Sequence, residues 1–251
     1  MQGFDESGPE GRVGPLAVRS EGLAAKDEEV VHVVPVWASP PDARRLVMLG
    51  DGSAEAAAAL RVIRHRLEVR RAEGMWTLGV TSALDEEGKS TFAAQLALVL
   101  SEAQRARVLL VEASFRRPSL SRLLGLRVPP GLGFSGQIAR RMRGVAEPWS
   151  VLALGPVMHA LVESESETGF PAALHASAFG GAVESLGRAY DWVIVDAPSM
   201  LGSGDANVVE EAVDGMIVVA RSRRSRGNDL HRAMKQLGMR KAIGVVLWDV
   251  R

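Results

Sequence analysis

One short stretch constrains the fold of this chain more than any other. Residues 76–82 form a mostly apolar run, and the loop that follows ends in Gly88, Lys89, Ser90 and Thr91. An apolar, helix-like segment continues from this loop, and a second apolar run covers residues 108–113. This order of strand, loop with Gly-Lys-Ser, helix and strand is typical of a phosphate-binding loop, the P-loop. The pattern predicts a P-loop NTPase fold.

The loop residues each suit contact with phosphate. Ala83 takes the first small-residue position, where glycine is commoner. Gly88 lets the backbone approach an anion that a Cβ would obstruct. The first N–H groups of the helix, at residues 88–91, have no partner one turn back, and the helix dipole also favours an anion there. We therefore predict a cofactor-binding loop made of Ala83, Gly88, Lys89, Ser90 and Thr91. The alternative is a Gly-Lys-Ser turn that precedes a helix by chance, which its placement after a strand disfavours.

Two further roles follow from the motif. Lys89 would reach the β- and γ-phosphates, and the Ser90 hydroxyl would bind Mg²⁺. A P-loop also needs a carboxylate at the end of another strand to hold the water shell of the metal. Asp196 follows the apolar run 193–195 and is in the right place, although a turn residue before Pro198 is the alternative. We predict Lys89 and Asp196 as catalytic residues, with Ser90 and Asp196 as metal ligands.

The rest of the sequence alternates between strand and helix patterns. We predict strands at 78–81, 108–113, 150–154, 192–195, 215–220 and 242–247, and helices at 53–73, 92–100, 135–142, 171–188, 205–213 and 229–237. Continuous apolar strand patterns are typical of parallel strands covered on both faces. The prediction is an α/β fold with a doubly wound, mostly parallel sheet and helices on both faces.

The N-terminal fifth of the chain has a different composition. Residues 1–29 are rich in Gly, Glu, Asp and Ser, which is typical of disorder. The apolar run 30–37 is either an edge strand or a docking segment, interrupted by Pro35. We predict a disordered tail over residues 1–50 and one P-loop ATPase or tyrosine-kinase-like domain over residues 51–251.

Composition excludes some function classes. The 251 residues hold 30 Lys and Arg against 30 Asp and Glu, so nothing global favours a nucleic-acid partner. Cysteine is absent, which excludes disulfides and thiolate metal sites. No apolar run is long enough to cross a bilayer, and the first residues do not resemble a signal peptide. The expected location is cytoplasmic.

Three segments carry a resemblance to a known family. The P-loop stretch, residues 108–120 and residues 190–198 are similar to the bacterial protein-tyrosine kinases (BY-kinases) of the capsular exopolysaccharide family. The resemblance implies binding of ATP and Mg²⁺, a membrane adaptor of the chain-length determinant type, and control of exopolysaccharide export. It also implies a fold related to septum-site and partition ATPases. Leu84 stands where those ATPases carry a signature lysine, which favours the kinase branch.

The resemblance assigns roles to further residues, and the chain departs from the pattern at several of them. Glu112 takes the place of the family's first strand-two aspartate and would be the catalytic base; Ser114 replaces the second. Asp85 and Glu86 replace Pro-Gly and, with Glu87, bring three carboxylates to the triphosphate site. Trp248 replaces the asparagine that contacts adenine, so it either stacks on a base or packs in the core.

Regulation differs in the same way. The sequence holds one tyrosine, Tyr190, and no C-terminal tyrosine cluster. Helix 53–73 keeps Arg61 and Arg64 of the family's subunit-contact motif, while Ala58 replaces its glutamate. This helix is either a solvated basic surface or a site of self-association. The basic loop 221–226 is either solvated or binds a phosphate, an acidic adaptor segment or anionic lipid.

Three functional hypotheses remain. The first is an ATP-binding tyrosine-kinase-like protein of exopolysaccharide or capsule biosynthesis, recruited to the inner membrane face by its partner. The second is a pseudokinase that acts as a regulatory binding module. The third, less favoured, is a partition-type ATPase.

Overall fold

The computed structural model describes residues 30–36, 45–49, 54–164 and 175–248. Its eight strands are β1 (Val31–Val34), β2 (Thr77–Ser82), β3 (Val108–Glu112), β4 (Trp149–Ala153), β5 (Met158–Leu161), β6 (Trp192–Asp196), β7 (Gly215–Arg221) and β8 (Ala242–Trp248). Its seven helices among these residues are α1 (Ala54–Ala72), α2 (Lys89–Ser101), α3 (Leu120–Leu124), α4 (Phe134–Met142), α5 (Ala176–Gly187), α6 (Asp205–Ala212) and α7 (Gly227–Leu237).

All eight strands belong to one sheet. Their order is β1-β4-β5-β3-β6-β2-β7-β8, and every neighbouring pair is parallel except β4 and β5. The central strands β2, β3 and β6 are buried along their whole length, because helices cover both faces. The predicted doubly wound, mostly parallel α/β fold is confirmed.

Each face of the sheet supports its own apolar core. Alternate residues of a strand point to opposite faces, so Val108 and Leu110 of β3 join one core while Leu109 and Val111 join the other. Helices α1, α2 and α3 pack on the first face, and α4 to α7 on the second. This arrangement brings the carboxyl ends of β2, β3, β6 and β7 to a common edge, where ligands bind in open α/β sheets.

The predicted elements are largely confirmed, with two differences in the sheet. Besides the six predicted strands, the sheet contains β1, which was one of two alternatives for residues 30–37, and β5, which was not predicted. Strand β5 (Met158–Leu161) pairs antiparallel with β4 and parallel with β3. It forms because the chain reverses at residues 154–157 and returns as a hairpin.

Two stretches of the predicted N-terminal tail pack onto the domain. Residues 31–34 pair with β4 as an edge strand, which settles the choice left open for residues 30–37. Leu46 is fully buried, and the Met48 N–H donates a 3.1 Å hydrogen bond to Gln95 Oε1 of α2. Disorder over residues 1–50 therefore does not hold for these two stretches. The rest of that range, like residues 171–174 of the helix predicted at 171–188, lies outside the described residues.

None of the helices in the described part of the chain has the length and hydropathy that crossing a bilayer requires.

Candidate functional site

The P-loop connects the end of β2 to the start of α2. Gly88 precedes the helix with φ 96° and ψ 12°, the left-handed conformation that favours glycine. A Cβ at Gly88 would lie 3.1 Å from Cδ1 of Trp248, which is tighter than an ordinary contact. The backbone conformation and the nearby Trp248 ring thus both disfavour a side chain at position 88, while the approach of Gly88 to a phosphate stays a prediction.

Lys89 points from the P-loop toward the carboxyl ends of β3 and β6. Its Nζ lies 3.4 Å from Asp196 Oδ1 and 3.2 Å from Ser114 Oγ. The Ser90 hydroxyl lies 3.3 Å from the same nitrogen. Three of the predicted site residues, Lys89, Ser90 and Asp196, thus lie together at one point of the sheet edge.

Asp196 is the most buried member of this group. Its side chain is 0% exposed, and its Oδ2 has no hydrogen-bond partner among the described residues. Burial raises the pKa of the carboxyl, while the Lys89 ammonium and the Ser90 hydroxyl oppose that rise. A buried carboxylate oxygen without a partner is costly, and a bound cation would satisfy it. Asp196 therefore fits the predicted metal site beside Ser90.

Glu112, the predicted catalytic base, has a different environment. Its Oε1 accepts hydrogen bonds from the backbone N–H groups of Ser119 at 2.5 Å and Leu120 at 2.8 Å, and its Oε2 accepts one from the N–H of Glu163 at 3.0 Å. Burial raises the pKa of Glu112 to about 7, against the effect of these donors. The side chain of Glu112 is 0% exposed, and both of its oxygens accept hydrogen bonds from backbone N–H groups. It therefore holds the loop after β3 in place, and a substrate hydroxyl cannot reach it.

The three P-loop carboxylates are all paired with other parts of the protein. Asp85 accepts a hydrogen bond from Ser199 Oγ at 2.8 Å and lies 3.1 Å from a terminal nitrogen of Arg117. Glu86 forms an ion pair with Arg224 of the basic loop. Glu87 turns inward: it is 2% exposed, accepts a 2.9 Å hydrogen bond from the Leu84 N–H and contacts Ser225. Asp85 and Glu86 thus each have a cationic partner, whereas Glu87 accepts hydrogen bonds from an N–H group and a hydroxyl.

A cavity of about 480 Å³ lies over the P-loop. Its lining includes six cationic side chains, namely Arg45, Lys89, Arg117, Arg122, Arg221 and Arg224. Among the described residues, two carboxylates, Asp85 and Glu86, line the same space. The excess of positive charge suits a polyanion such as a nucleoside triphosphate.

The remaining P-loop residues also lie at this cavity or just beneath it. Thr91 lines the cavity, and its hydroxyl accepts a 3.1 Å hydrogen bond from Arg45. Ala83 is 1% exposed and belongs to the apolar core below the loop. Sequence reasoning did not identify Arg45 or Arg122 as cavity residues. Arg45 had been assigned to the tail, and Arg122 sits in a five-residue helix, α3, that has no strong sequence signal.

Trp248 packs rather than standing free. Its ring meets Phe92 edge-on, with centroids 5.6 Å apart and planes at 73°, and it covers Gly88. Its indole nitrogen is buried without a hydrogen-bond partner among the described residues. In the structure Trp248 therefore packs against Phe92 and Gly88, as one of the two alternatives predicts.

Tyr190 and the two arginines of the family's subunit-contact motif are not part of the cavity lining. Tyr190 is 4% exposed, and its hydroxyl is 2.6 Å from Nδ1 of His159. Arg61 and Arg64 of α1 both pair with Glu102 at the end of α2, Arg64 at 2.9 Å. The two arginines that the resemblance assigns to a subunit contact thus form ion pairs with Glu102 of the same chain.

Sequence comparison finds bacterial tyrosine kinases among the relatives of this chain. Tyrosine-protein kinase YwqD of Bacillus subtilis is 27% identical over 205 residues, which cover 79% of this chain and 82% of the relative. Tyrosine-protein kinase CpsD of Streptococcus agalactiae is 27% identical over 174 residues, covering 68% and 72%. The succinoglycan biosynthesis transport protein ExoP of Rhizobium meliloti is 27% identical over 147 residues, covering 57% of this chain and 18% of the relative. No protein-family model matches the chain.

Comparison with solved structures supports the fold. The kinase domain of the Escherichia coli tyrosine kinase ETK has a TM-score of 0.65 at 24% identity and covers 76% of this chain and 74% of its own. The chimerical protein CapA2B2 reaches 0.69 at 19% identity, covering 87% and 95%. The ATP complex of Cyanothece McdA(D38A) reaches 0.57 at 21% identity, covering 69% and 70%.

The predicted resemblance is confirmed at low identity. The relatives in sequence are named tyrosine-protein kinases, and the fold is the one that kinase domains and McdA share. The chain is a divergent relative of the bacterial tyrosine-protein kinases, built on the P-loop NTPase fold.

Proposed function

We propose that this protein binds Mg-ATP at the P-loop and acts as a tyrosine-kinase-like regulator of exopolysaccharide or capsule biosynthesis and export. The observation that carries the proposal is the buried group of Lys89, Ser90 and Asp196, in which Asp196 Oδ2 has no partner among the described residues. A chain that had lost its nucleotide would gain nothing from a buried carboxylate with an unsatisfied oxygen.

The roles of the residues follow from their positions. Gly88 and the N–H groups at the start of α2 cradle phosphate oxygens, and Lys89 neutralises the β- and γ-phosphates. Ser90 and Asp196 hold Mg²⁺, with Asp196 acting on its water shell. The ion supplies charge neutralisation on the phosphates. Thr91 and Ala83 complete the loop.

The acceptor is a tyrosine of another protein, because the tyrosine of this sequence is buried against His159. In the transfer, the phenol oxygen forms a bond to the γ-phosphorus while the bond from that phosphorus to the β,γ-bridging oxygen breaks, and ADP leaves. The phenol proton passes to solvent, because both oxygens of Glu112 are engaged by backbone N–H groups. A loose transition state needs little help from a base, so positioning and charge carry this step.

A second candidate function, a pseudokinase that serves as a binding module, is favoured by specific observations. Glu112 serves the loop structure, Ser114 has no charge for a metal, and Trp248 packs on Gly88. In this version the cavity binds nucleotide weakly or not at all, and the protein acts on its partner through binding alone.

The proposed setting follows from the named relatives. YwqD and CpsD are named tyrosine-protein kinases, and ExoP is named for succinoglycan biosynthesis and transport. We propose a cytoplasmic location, with recruitment to the inner membrane face by an adaptor of the chain-length determinant type. Self-association through α1 would have to displace Glu102 from Arg61 and Arg64.

The experiment is co-expression with the adaptor encoded nearest to this gene, followed by detection of phosphotyrosine on the adaptor. The kinase reading predicts phosphotyrosine that is lost in Lys89→Ala and kept in Lys235→Ala, an exposed lysine on α7. Phosphotyrosine that persists in Lys89→Ala contradicts it. Mg-ATP binding without phosphotyrosine on the adaptor or on other co-expressed export proteins supports the binding module instead.

A further inference from the structure

Three arginines that line the P-loop cavity, Arg45, Arg122 and Arg221, have no carboxylate partner among the described residues. Arg117 and Arg224, by contrast, pair with Asp85 and Glu86 of the P-loop. Of the three, Arg45 and Arg122 have exposed side chains. Both are therefore available to a carboxylate that enters the cavity, although Arg45 also donates a hydrogen bond to the Thr91 hydroxyl.

Arg45 is held at the rim by a buried anchor. Gln95 of α2, which is 0% exposed, donates to the Arg45 carbonyl at 3.1 Å and accepts from the Met48 N–H at 3.1 Å. Leu46 next to it is fully buried. The guanidinium also reaches the Thr91 hydroxyl at the start of α2. The segment is fixed to the P-loop helix, so the position of Arg45 is part of the fold.

Arg122 is held by a second buried anchor. It lies in α3, whose first turn is fastened by the hydrogen bonds from Ser119 and Leu120 to Glu112. The leucines on either side of Arg122, at positions 120, 123 and 124, pack into the same core as α2. Glu112, which is closed to substrate, thus acts as a positioning residue for the element that presents Arg122.

The P-loop residues that would hold phosphate line the same cavity. Gly88, Lys89 and Ser90 belong to the segment between β2 and the first turn of α2, while Arg221 ends β7. In the sheet, β7 borders β2 on one side, and β3 lies on the other side, beyond β6. Arg122, after β3, thus follows a strand on the opposite side of β2 from Arg221. A triphosphate bound by the P-loop and Arg221 would leave Arg45 and Arg122 available to a second anion.

We propose that Arg45 and Arg122 form a binding site for an acidic segment of a protein partner, next to the P-loop. Each guanidinium presents a planar fork of donors that matches a carboxylate. A nucleic-acid strand is disfavoured, because the chain as a whole carries no net charge. Binding of the acidic segment does not require nucleotide. The further statement that this segment carries the acceptor tyrosine rests on the proposed function.

The test is fluorescence anisotropy of a labelled peptide with the full chain, without nucleotide and at low salt. The probes are a tyrosine peptide flanked by glutamates and the same peptide with glutamines. The glutamate peptide binds and the glutamine peptide does not. Arg45→Ala and Arg122→Ala each weaken binding about three- to fivefold, since an exposed ion pair contributes little, and the double variant weakens it further. Arg127→Ala, an exposed arginine just beyond α3, leaves it unchanged.

Several results would overturn the inference. Equal binding of both peptides, or an equal loss in Arg127→Ala, would show general attraction to positive charge. Full competition by Mg-ATP would assign the two arginines to the nucleotide. Tighter binding of an oligonucleotide, lost in Arg122→Ala, would make nucleic acid the ligand. Calorimetry of Mg-ATP separates this inference from the proposed function: peptide binding without any Mg-ATP binding refutes only the function.

Discussion

Gly88 is the residue whose backbone allows the P-loop to form. Its φ of 96° costs an L-residue about 1–2 kcal/mol, and a Cβ would also press on Trp248 at 3.1 Å. Gly74 has φ 94° with nothing within 4 Å of an added Cβ, so it is a matched control. We expect Gly88→Ala to lower the free energy of unfolding in urea by more than Gly74→Ala does. Equal losses of unfolding free energy in the two variants would show that the contact between the added Cβ and Trp248 does not destabilise the protein.

Tyr190 is expected to escape phosphorylation in the folded protein. Its hydroxyl is buried against His159, and phosphate on it would place charge in the core. Mass spectrometry after incubation with Mg-ATP should find no phosphate on Tyr190, and Tyr190→Phe should leave partner phosphorylation unchanged. Stoichiometric phosphate on Tyr190 in folded protein would contradict this.

At the scale of elements, the P-loop is shaped by its own carboxylates. Asp85 and Glu86 hold Arg117 and Arg224, two arginines that line the cavity. The double variant Asp85→Asn, Glu86→Gln should bind Mg-ATP about three- to tenfold more tightly at low salt, because it removes two negative charges and frees two guanidiniums. The gain should shrink at high salt.

Calorimetry at two salt concentrations measures this effect. Glu184→Gln, which alters an exposed Glu184–Arg188 pair on α5, is the control and should leave the affinity unchanged. Weaker Mg-ATP binding in the double variant would mean that the Asp85–Arg117 and Glu86–Arg224 ion pairs hold the P-loop in its binding conformation and do not compete with the nucleotide.

The sequence predicts the elements with strong periodicity and misses those defined by pairing. Strands β3 and β6 were predictable because each is an apolar run that ends in a carboxylate, and β2 because it leads directly into the P-loop motif. Strand β5 has four residues after a Gly-Pro turn, and only its pairing with β3 and β4 identifies it. For β1 the sequence allows an edge strand or a docking segment, and only the pairing with β4 decides between them.

The site residues likewise fall into those that a sequence motif predicts and those that depend on tertiary contacts. Lys89, Ser90 and Asp196 follow strands or open a helix, and motif spacing alone places them together. The engagement of Glu112 depends on where the loop after β3 folds back, which no local pattern reports. Arg45 reaches the cavity through a contact across 50 residues with Gln95, so sequence reasoning could not have included it.

For the whole molecule, the buried pair of His159 and Tyr190 makes stability depend on pH. Burial lowers the pKa of His159 from 6.5 to about 4, with Arg107 adding to the effect. Between pH 6.5 and 4 the unfolded chain therefore binds a proton that the folded chain does not, and stability falls as the pH falls. The expected loss from His159 is about 2 kcal/mol between pH 7 and pH 5.

Urea unfolding of the wild type and His159→Gln at both pH values measures this contribution. The free energy of unfolding of the wild type minus that of His159→Gln should be about 2 kcal/mol smaller at pH 5 than at pH 7, because only the wild type carries the imidazole. Glu112 acts in the opposite direction, since its raised pKa makes stability fall as the pH rises from 4.5 to about 7. Its effect is common to both proteins and cancels. An unchanged difference would mean that His159 is protonated in the folded state.

Calorimetry of Mg-ATP and Mg-ADP with the purified protein tests the proposed P-loop function most directly. We expect micromolar binding that is lost in Lys89→Ala, reduced in Asp196→Asn with Mg²⁺ present, and kept in Lys235→Ala. Absence of binding at millimolar nucleotide, or binding that is unchanged in Lys89→Ala, would contradict a working P-loop.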